Sequence, residues 1–107
     1  MNLSKNLPLT ETTFYILIAL RKAGHGYGVM QEVEQLSGGK VRIAAGTMYG
    51  ALENLTKQKL ITSVPSEDAR RKMYHISEKG REILALEVSR LKQLIEVYRH
   101  IEWGGFN

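Results

Sequence analysis

Two short β-prone segments joined by a polar turn, late in a chain that otherwise favours helices, restrict the fold more than any other feature of the sequence. Residues 60–64 are rich in β-branched and other apolar side chains, and residues 72–76 alternate polar and apolar. Between them lies a polar turn at residues 65–70, which begins with proline. The pattern predicts a β-hairpin with basic residues at its tip and flank.

The first two predicted helices lie in the first 40 residues of the chain. The apolar residues 14–20 predict a first helix over about residues 10–23, with Thr10 as its N-cap. A second helix follows the turn at residues 25–28 and ends at the glycine-rich residues 37–39. The apolar side of the second helix is made of Val29, Val33 and Leu36.

A third helix is predicted over about residues 46–59, and a long last helix runs from its N-cap Ser77 to about Trp103. Residues 40–43 alternate polar and apolar, which predicts a very short strand. The connection at residues 37–46 is too long for the tight joint of a simple helix-turn-helix. The order of elements therefore predicts a mostly α fold with a small β-hairpin, a winged helix-turn-helix followed by a long C-terminal helix.

Charge divides the chain into a winged-helix part, residues 1–77, and a C-terminal helix, residues 78–107. We expect the two parts to pack together as one structural unit. The first part holds ten basic and six acidic side chains, and the second holds five of each, so the net charge of +4 belongs to the first part. A basic body with a neutral tail indicates a polyanion-binding part and a part with another task. A charge of this size also serves solubility alone.

The residue types and motifs that the sequence lacks exclude several classes of protein. The chain of 107 residues has no cysteine, which excludes disulfides and thiol catalysis and suits the cytoplasm. No apolar run is long enough to span a membrane, and the first residues lack the apolar stretch of a signal peptide. The histidines are scattered, and no nucleophile–base pattern or phosphate-binding glycine loop is present. We therefore expect no enzyme, no metal site and no cofactor.

The third predicted helix has two contrasting faces. Met48, Leu52 and Leu55 form one narrow apolar stripe at about 100° per residue. Short polar side chains near the start of such a helix suit the base edges of a DNA major groove, and a cation suits a phosphate. The same pattern describes an ordinary amphipathic helix with a solvated face. The candidate DNA-binding residues on the other faces are Thr47, Tyr49, Gly50, Asn54 and Lys57.

The tip of the predicted hairpin is basic. Arg70, Arg71 and Lys72 follow Glu67 and Asp68 in the wing loop, as we name residues 65–72. The cations predict contacts of the wing loop with the sugar-phosphate backbone of DNA. A solvated turn with local ion pairs is the alternative. In a winged helix the wing and the third helix lie on the same side, so both signals fall on one surface.

Four segments of the sequence resemble the PadR family of bacterial transcriptional regulators. They are LTETTFYIL at residues 9–17, HGYG at 25–28, GTMYGAL at 46–52 and RKMYHISEKGR at 71–81. The HGYG string and the GTMY string at the start of the third segment are together specific to the family. The similarity extends over about residues 9–95.

The resemblance implies a winged-helix homodimeric repressor, released from DNA by a small effector, of the compact branch with a single C-terminal dimerisation helix. By position, Thr47, Tyr49 and Gly50 match the DNA-facing helix of the family. Tyr27 matches a tyrosine that contacts the DNA backbone, and residues 70–72 match the wing.

The last predicted helix carries an apolar seam at spacings of four and three residues. A helix of about 40 Å exceeds what one small domain covers, so part of the seam is expected to meet a second copy. The alternative is packing on the chain's own first helix, as we expect for part of residues 83–84. Some multidrug-binding relatives carry a tryptophan where this chain has Leu91, so their drug-binding pore is not assumed. The predicted dimer residues are Leu84, Val88, Leu91, Ile95 and Tyr98.

Two functions from different classes are consistent with these patterns. The first is a homodimeric repressor that binds a two-fold operator in double-stranded DNA and is released by a small-molecule effector. The second is a winged-helix protein-interaction module without sequence-specific DNA binding, which the apolar seam also suits.

Overall fold

The computed structural model describes residues 3–102 and begins with a single-turn 3-10 helix at Leu3–Asn6. The sheet is antiparallel and three-stranded, in the order β1-β3-β2. The predicted winged helix-turn-helix with a long C-terminal helix is confirmed. In chain order the elements are α1 (Glu11–Ala19), β1 (Gly24–His25), α2 (Gly26–Leu36), α3 (Ala45–Lys57), β2 (Ile61–Val64), β3 (Met73–Ile76) and α4 (Glu78–His100).

Both predicted N-caps are present. The hydroxyl of Thr10 accepts a hydrogen bond from the backbone N–H of Thr13 at 3.1 Å, and the hydroxyl of Ser77 accepts one from Gly80 at 2.9 Å. Helix α1 ends earlier than predicted, because the carbonyl of Leu20 accepts a hydrogen bond from Ile76 of β3 at 2.8 Å. The chain thus leaves the helix to join the sheet.

The prediction of a strand at residues 40–43 is wrong. The third strand is instead the two-residue β1, in which Gly24 pairs with Tyr74 and His25 pairs with Met73. The end of α1 delivers β1 directly to the free edge of β3. Residues 40–43 take another course, since the hydroxyl of Ser37 accepts a hydrogen bond from the N–H of Val41 at 2.9 Å.

One hydrophobic core joins the helices to the sheet. The predicted stripe of α3 is buried, and Ile83 of α4 is fully buried as well, so α4 does fold back on the body of the chain. Leu36 departs from the predicted apolar side of α2, because its side chain lies in the last turn and is 45% exposed. The core consists of Ile16, Leu17, Leu20, Val29, Val33, Ile43, Met48, Leu52, Leu55, Leu60, Ile61, Ile76 and Ile83.

A tight turn after α3 sets the position of the hairpin. The N–H of Leu60 donates to the carbonyl of Leu55, and the N–H of Lys59 donates to Thr56, which is the Schellman ending of a helix. Lys59 occupies the left-handed position of this motif with φ +64°. Leu60 then accepts a hydrogen bond from the N–H of Ser77 at 3.0 Å, so α3, β2 and α4 meet at one point.

A buried carboxylate ties α4 to the start of α1. The side chain of Glu87 accepts the backbone N–H of Leu9 at 3.0 Å and two hydrogen bonds from Arg90, at 2.5 and 3.0 Å. The hydrogen bonds from Arg90 hold the pKa of Glu87 below its ordinary value, burial acts in the opposite direction, and the Leu9 N–H lowers the pKa further. Glu87 therefore stabilises the fold as a charged group.

Replacing Glu87 by glutamine is expected to lower the free energy of unfolding by roughly 1–3 kcal/mol at neutral pH, because charge-assisted hydrogen bonds are lost. The folded-state pKa lies below that of the unfolded chain. The stabilisation is therefore complete above the unfolded pKa of about 4.3 and disappears as the pH falls through the folded pKa. Urea titrations of the two proteins, at the same protein concentration and at several pH values across this range, measure the difference in the free energy of unfolding. A difference that does not shrink in acid would contradict the assignment.

Candidate nucleic-acid interface

Helix α3 presents an open polar face. Thr47, Gly50 and Asn54 are all exposed, opposite the buried stripe of the same helix. The side chain of Asn54 accepts a hydrogen bond from Gln58 one turn later, at 2.7 Å. No side chain caps the start of this helix, at Ala44, among the described residues. The first N–H groups of α3 are thus without side-chain acceptors, and they carry the positive end of the helix dipole.

Tyr49 leans from α3 across the start of α2. Its side chain is 55% exposed, yet its ring lies so close to Gly26 that a Cβ there would be 2.7 Å from the ring atom Cε1. Tyr27 stands beside this contact and is 58% exposed. The missing side chain at Gly26 therefore lets the Tyr49 ring lie where α2 and α3 meet.

The wing loop is shaped by Asp68. Its carboxylate accepts the backbone N–H of Arg70 at 2.9 Å, and its carbonyl accepts that of Arg71 at 3.0 Å. The same carboxylate lies 3.7 Å from the guanidinium of Arg70, a pair too exposed to add much stability. Asp68 thus acts mainly as a turn residue, and it holds the basic end of the loop in place.

The wing loop, α3 and the start of α2 enclose a cleft of about 900 Å³. Four of its lining residues are cationic and one is anionic. That anion, Glu53, lies 3.5 Å from Lys57 one turn along α3, in a largely exposed pair. The cleft therefore favours anions. Its lining residues are His25, Gly26, Tyr27, Tyr49, Glu53, Thr56, Lys57, Ser63, Arg70, Arg71, Lys72 and Tyr74.

The structure brings most of the predicted DNA-binding residues together. Tyr27, Tyr49, Lys57, Arg70, Arg71 and Lys72 all line the cleft. The remaining three, Thr47, Gly50 and Asn54, lie on the exposed surface of α3 outside the cleft lining.

His25 and Gly26 also belong to this surface, although the sequence pattern did not predict them as functional residues. Both belong to the HGYG string, which was interpreted as a turn with a single functional residue, Tyr27. The signal was available in the same four residues. A histidine immediately before a helix can cap it through a ring nitrogen that accepts a hydrogen bond, and a glycine admits a neighbouring side chain.

The predicted seam on α4 changes character along the helix. Leu84 packs against the core, and Val88 and Leu91 are partly buried. Ile95 is 55% exposed and Tyr98 is 63% exposed. The described part of the molecule measures 61 × 35 × 20 Å, and nothing in it covers the second half of this helix. Other exposed apolar side chains there are Leu94, Val97 and Ile101. Trp103 lies outside the described residues.

Within residues 3–102, no group of histidine and carboxylate side chains is arranged to hold a metal ion. No helix of this part combines the length and the apolar character needed to cross a bilayer.

Comparison of the sequence with protein families finds a match over residues 16–86 to the transcriptional regulator PadR-like family. The match runs from the core of α1 into the first half of α4. A curated relative, an uncharacterized 37.1 kDa protein in transposon TN4556 of Streptomyces fradiae, is 33% identical over 70 residues. That alignment covers 65% of this chain and 19% of the Streptomyces protein.

Solved structures share the architecture. A PadR-like transcription factor from Bacteroides fragilis superposes with a TM-score of 0.72 at 23% identity, covering 94% of this chain and 99% of its own. A PadR family regulator from Eggerthella lenta gives 0.69 at 21% identity, with 87% and 82% covered. BpsR of Bordetella bronchiseptica, whose DNA binding is regulated by 6-hydroxynicotinic acid, gives 0.65 at 23% identity, with 95% and 66% covered. At these identities the likeness shows a common fold.

Proposed function

Because the chain belongs to the PadR-like family of transcriptional regulators, we propose that it binds double-stranded DNA as a homodimer and represses transcription from a two-fold operator. The observation that carries this proposal is the convergence of the wing-loop cations and α3 on one anion-attracting cleft. The wing loop and α3 are separate elements that both border the cleft, and a duplex is a ligand large enough to meet both.

The two parts of the surface have different tasks in this proposal. Thr47 and Asn54 read base edges in the major groove, where the absent side chain of Gly50 permits close approach. The open N–H groups at the start of α3 bind a phosphate. Tyr27, Tyr49, Lys57 and the cations of the wing loop contact the sugar-phosphate backbone, which contributes affinity without sequence preference.

The apolar seam of α4, mainly its exposed second half, forms the dimer in this proposal. Its apolar side chains are exposed at the far end of an elongated molecule, and a parallel copy of the same heptad seam is a complementary partner for them. A two-fold dimer presents two copies of α3, whose half-site centres lie about 34–36 Å apart when successive turns of DNA are read. The interface consists of Leu84, Val88, Leu91, Ile95 and Tyr98.

We further propose that a small-molecule effector releases the protein from DNA. The support is that DNA binding by BpsR, a structural neighbour, is regulated by 6-hydroxynicotinic acid. The drug-binding pore of multidrug-binding relatives is not part of this proposal, because Leu91 stands here at the position of their ligand-sandwiching tryptophan.

The test is an electrophoretic shift of genomic fragments, beginning with the region upstream of the gene itself, over a range of salt concentrations. With six to eight phosphate contacts in the dimer, log K should fall with log salt at a slope of about −5 to −7. Arg71→Ala with Lys72→Ala removes two cations from each subunit, so the slope should flatten by about 3–4 and all sequences should be weakened alike. Thr47→Ala or Asn54→Ala should instead reduce discrimination between sites, by about 1–3 kcal/mol where a bidentate base contact is lost.

Lys5→Ala is the matched control, because Lys5 is an exposed cation of the 3-10 helix that packs on α4, away from the cleft. It should leave the salt dependence nearly unchanged. Absence of salt-sensitive binding to every fragment would defeat the proposal. A stable complex with another protein that is indifferent to the wing-loop substitutions would favour the protein-interaction module.

A further inference from the structure

His25 is held in one tautomer by the start of α2. Its ring atom Nδ1 accepts a hydrogen bond from the backbone N–H of Gly28 at 3.2 Å and so caps the helix. A ring nitrogen that accepts a hydrogen bond carries no hydrogen. In this conformation the ring hydrogen of His25 is therefore on Nε2.

That Nε2–H faces a second donor. The guanidinium nitrogen Nη1 of Arg71 lies 3.2 Å from Nε2 of His25, and a guanidinium has hydrogens to donate but no lone pair to accept with. The two groups therefore do not satisfy each other. Two N–H donors that converge at this distance suit an oxygen acceptor placed against both, and a negatively charged oxygen gives the strongest such bonds.

The two donors are positioned by the backbone as well as by their side chains. His25 belongs to β1 and pairs with Met73, the first residue of β3. Arg71 lies two residues before this pair, so the sheet brings the end of the wing loop to the start of α2. Both side chains line the cleft, beside Tyr27 and Lys72.

We propose that His25 Nε2–H and the guanidinium of Arg71 together bind one phosphate of the DNA backbone in each subunit. This inference rests on the proposed function and adds His25 as a DNA-binding residue. His25 supplies a hydrogen bond and Arg71 supplies the charge. The shared phosphate fixes the position of the wing loop relative to α2.

The test uses His25→Asn, because asparagine is also a strong N-cap and can retain the bond to Gly28 while it is too short to reach Arg71. Affinity is measured for a mixed-sequence duplex of about 30 base pairs, since a backbone contact is independent of sequence. Loss of one hydrogen bond to a charged phosphate in each subunit, two in the dimer, should weaken binding by at least about 100-fold. The salt slope should change little for His25→Asn, whereas Arg71→Ala should flatten it by about 1.8 for the dimer.

A double-mutant cycle identifies the shared phosphate. If both side chains bind the same group, His25→Asn should weaken the Arg71→Ala protein by less than threefold, well below its effect on the wild type. Equal effects in the two backgrounds, or a His25→Asn protein that binds within twofold of wild type, would overturn this inference and leave the proposed function intact. A wild-type protein without salt-sensitive duplex binding would overturn the proposed function itself.

Discussion

Leu91→Arg is expected to convert the proposed dimer into a monomer and to abolish tight operator binding. Each dimer would carry two guanidinium groups in the middle of an apolar seam, and an unpaired charge at such a position costs roughly 3–5 kcal/mol. The dissociation constant of the dimer should therefore rise by at least about 1000-fold. Loss of bivalent binding should weaken operator affinity by a further factor of about 100–10,000. Sedimentation velocity and electrophoretic shifts measure the two effects.

Two further variants control this experiment. Gln93→Arg introduces the same side chain at an exposed position on the opposite side of α4 and should remain dimeric. Ile95→Arg places the same charge at another position of the seam, where the side chain is already 55% exposed within one chain. It should therefore dissociate the dimer without unfolding the subunit. If the Leu91→Arg and Ile95→Arg proteins both remain dimeric, the assignment of the dimer interface to this seam is contradicted. This holds whatever circular dichroism shows about their folding.

Gly80→Ala is expected to destabilise the fold by roughly 3 kcal/mol. A Cβ at this position would lie 2.1 Å from the carbonyl oxygen of Leu60 and 2.8 Å from the side chain of Ile76. The carbonyl belongs to the backbone turn that joins α3 to β2 and cannot rotate away. Helix α4 would have to move outward and give up the hydrogen bonds of Ser77 to Leu60 and Lys59. Urea denaturation measures the loss.

Gly50→Ala is the matched control, because nothing lies within 4 Å of a Cβ at that exposed helical position. It should stabilise the fold by about 0.5–1 kcal/mol, since alanine favours helix over glycine. The same substitution should weaken operator binding if α3 approaches the base pairs closely. A Gly80→Ala protein as stable as wild type would show that the contact of α4 with the end of α3 is looser than described.

Local signals predicted the main helices, the two strands of the hairpin and most residues of the candidate interface. The N-caps Thr10 and Ser77 act on N–H groups three residues away, and the apolar stripe of α3 repeats within the helix itself. Such signals depend on neighbours along the chain, so the sequence contains them completely. The basic composition of the wing loop was likewise visible before its position was known.

Pairing between distant segments required the tertiary structure. The strand β1 has two residues, too few for a period to be detected, and it exists because α1 delivers it to the edge of β3. His25 meets Arg71 across 46 positions of sequence for the same reason. Leu36 has helical apolar spacing but falls in the last turn of α2, beyond the reach of the core.

The sequence by itself therefore determined where the main helices lie and which residues are apolar or charged, because these properties follow from covalent structure and near neighbours. Only the tertiary structure decided which cations share a cleft, which donors face each other, and where along α4 burial ends. Those outcomes depend on how complete elements pack, and packing is set by the shape of the whole core.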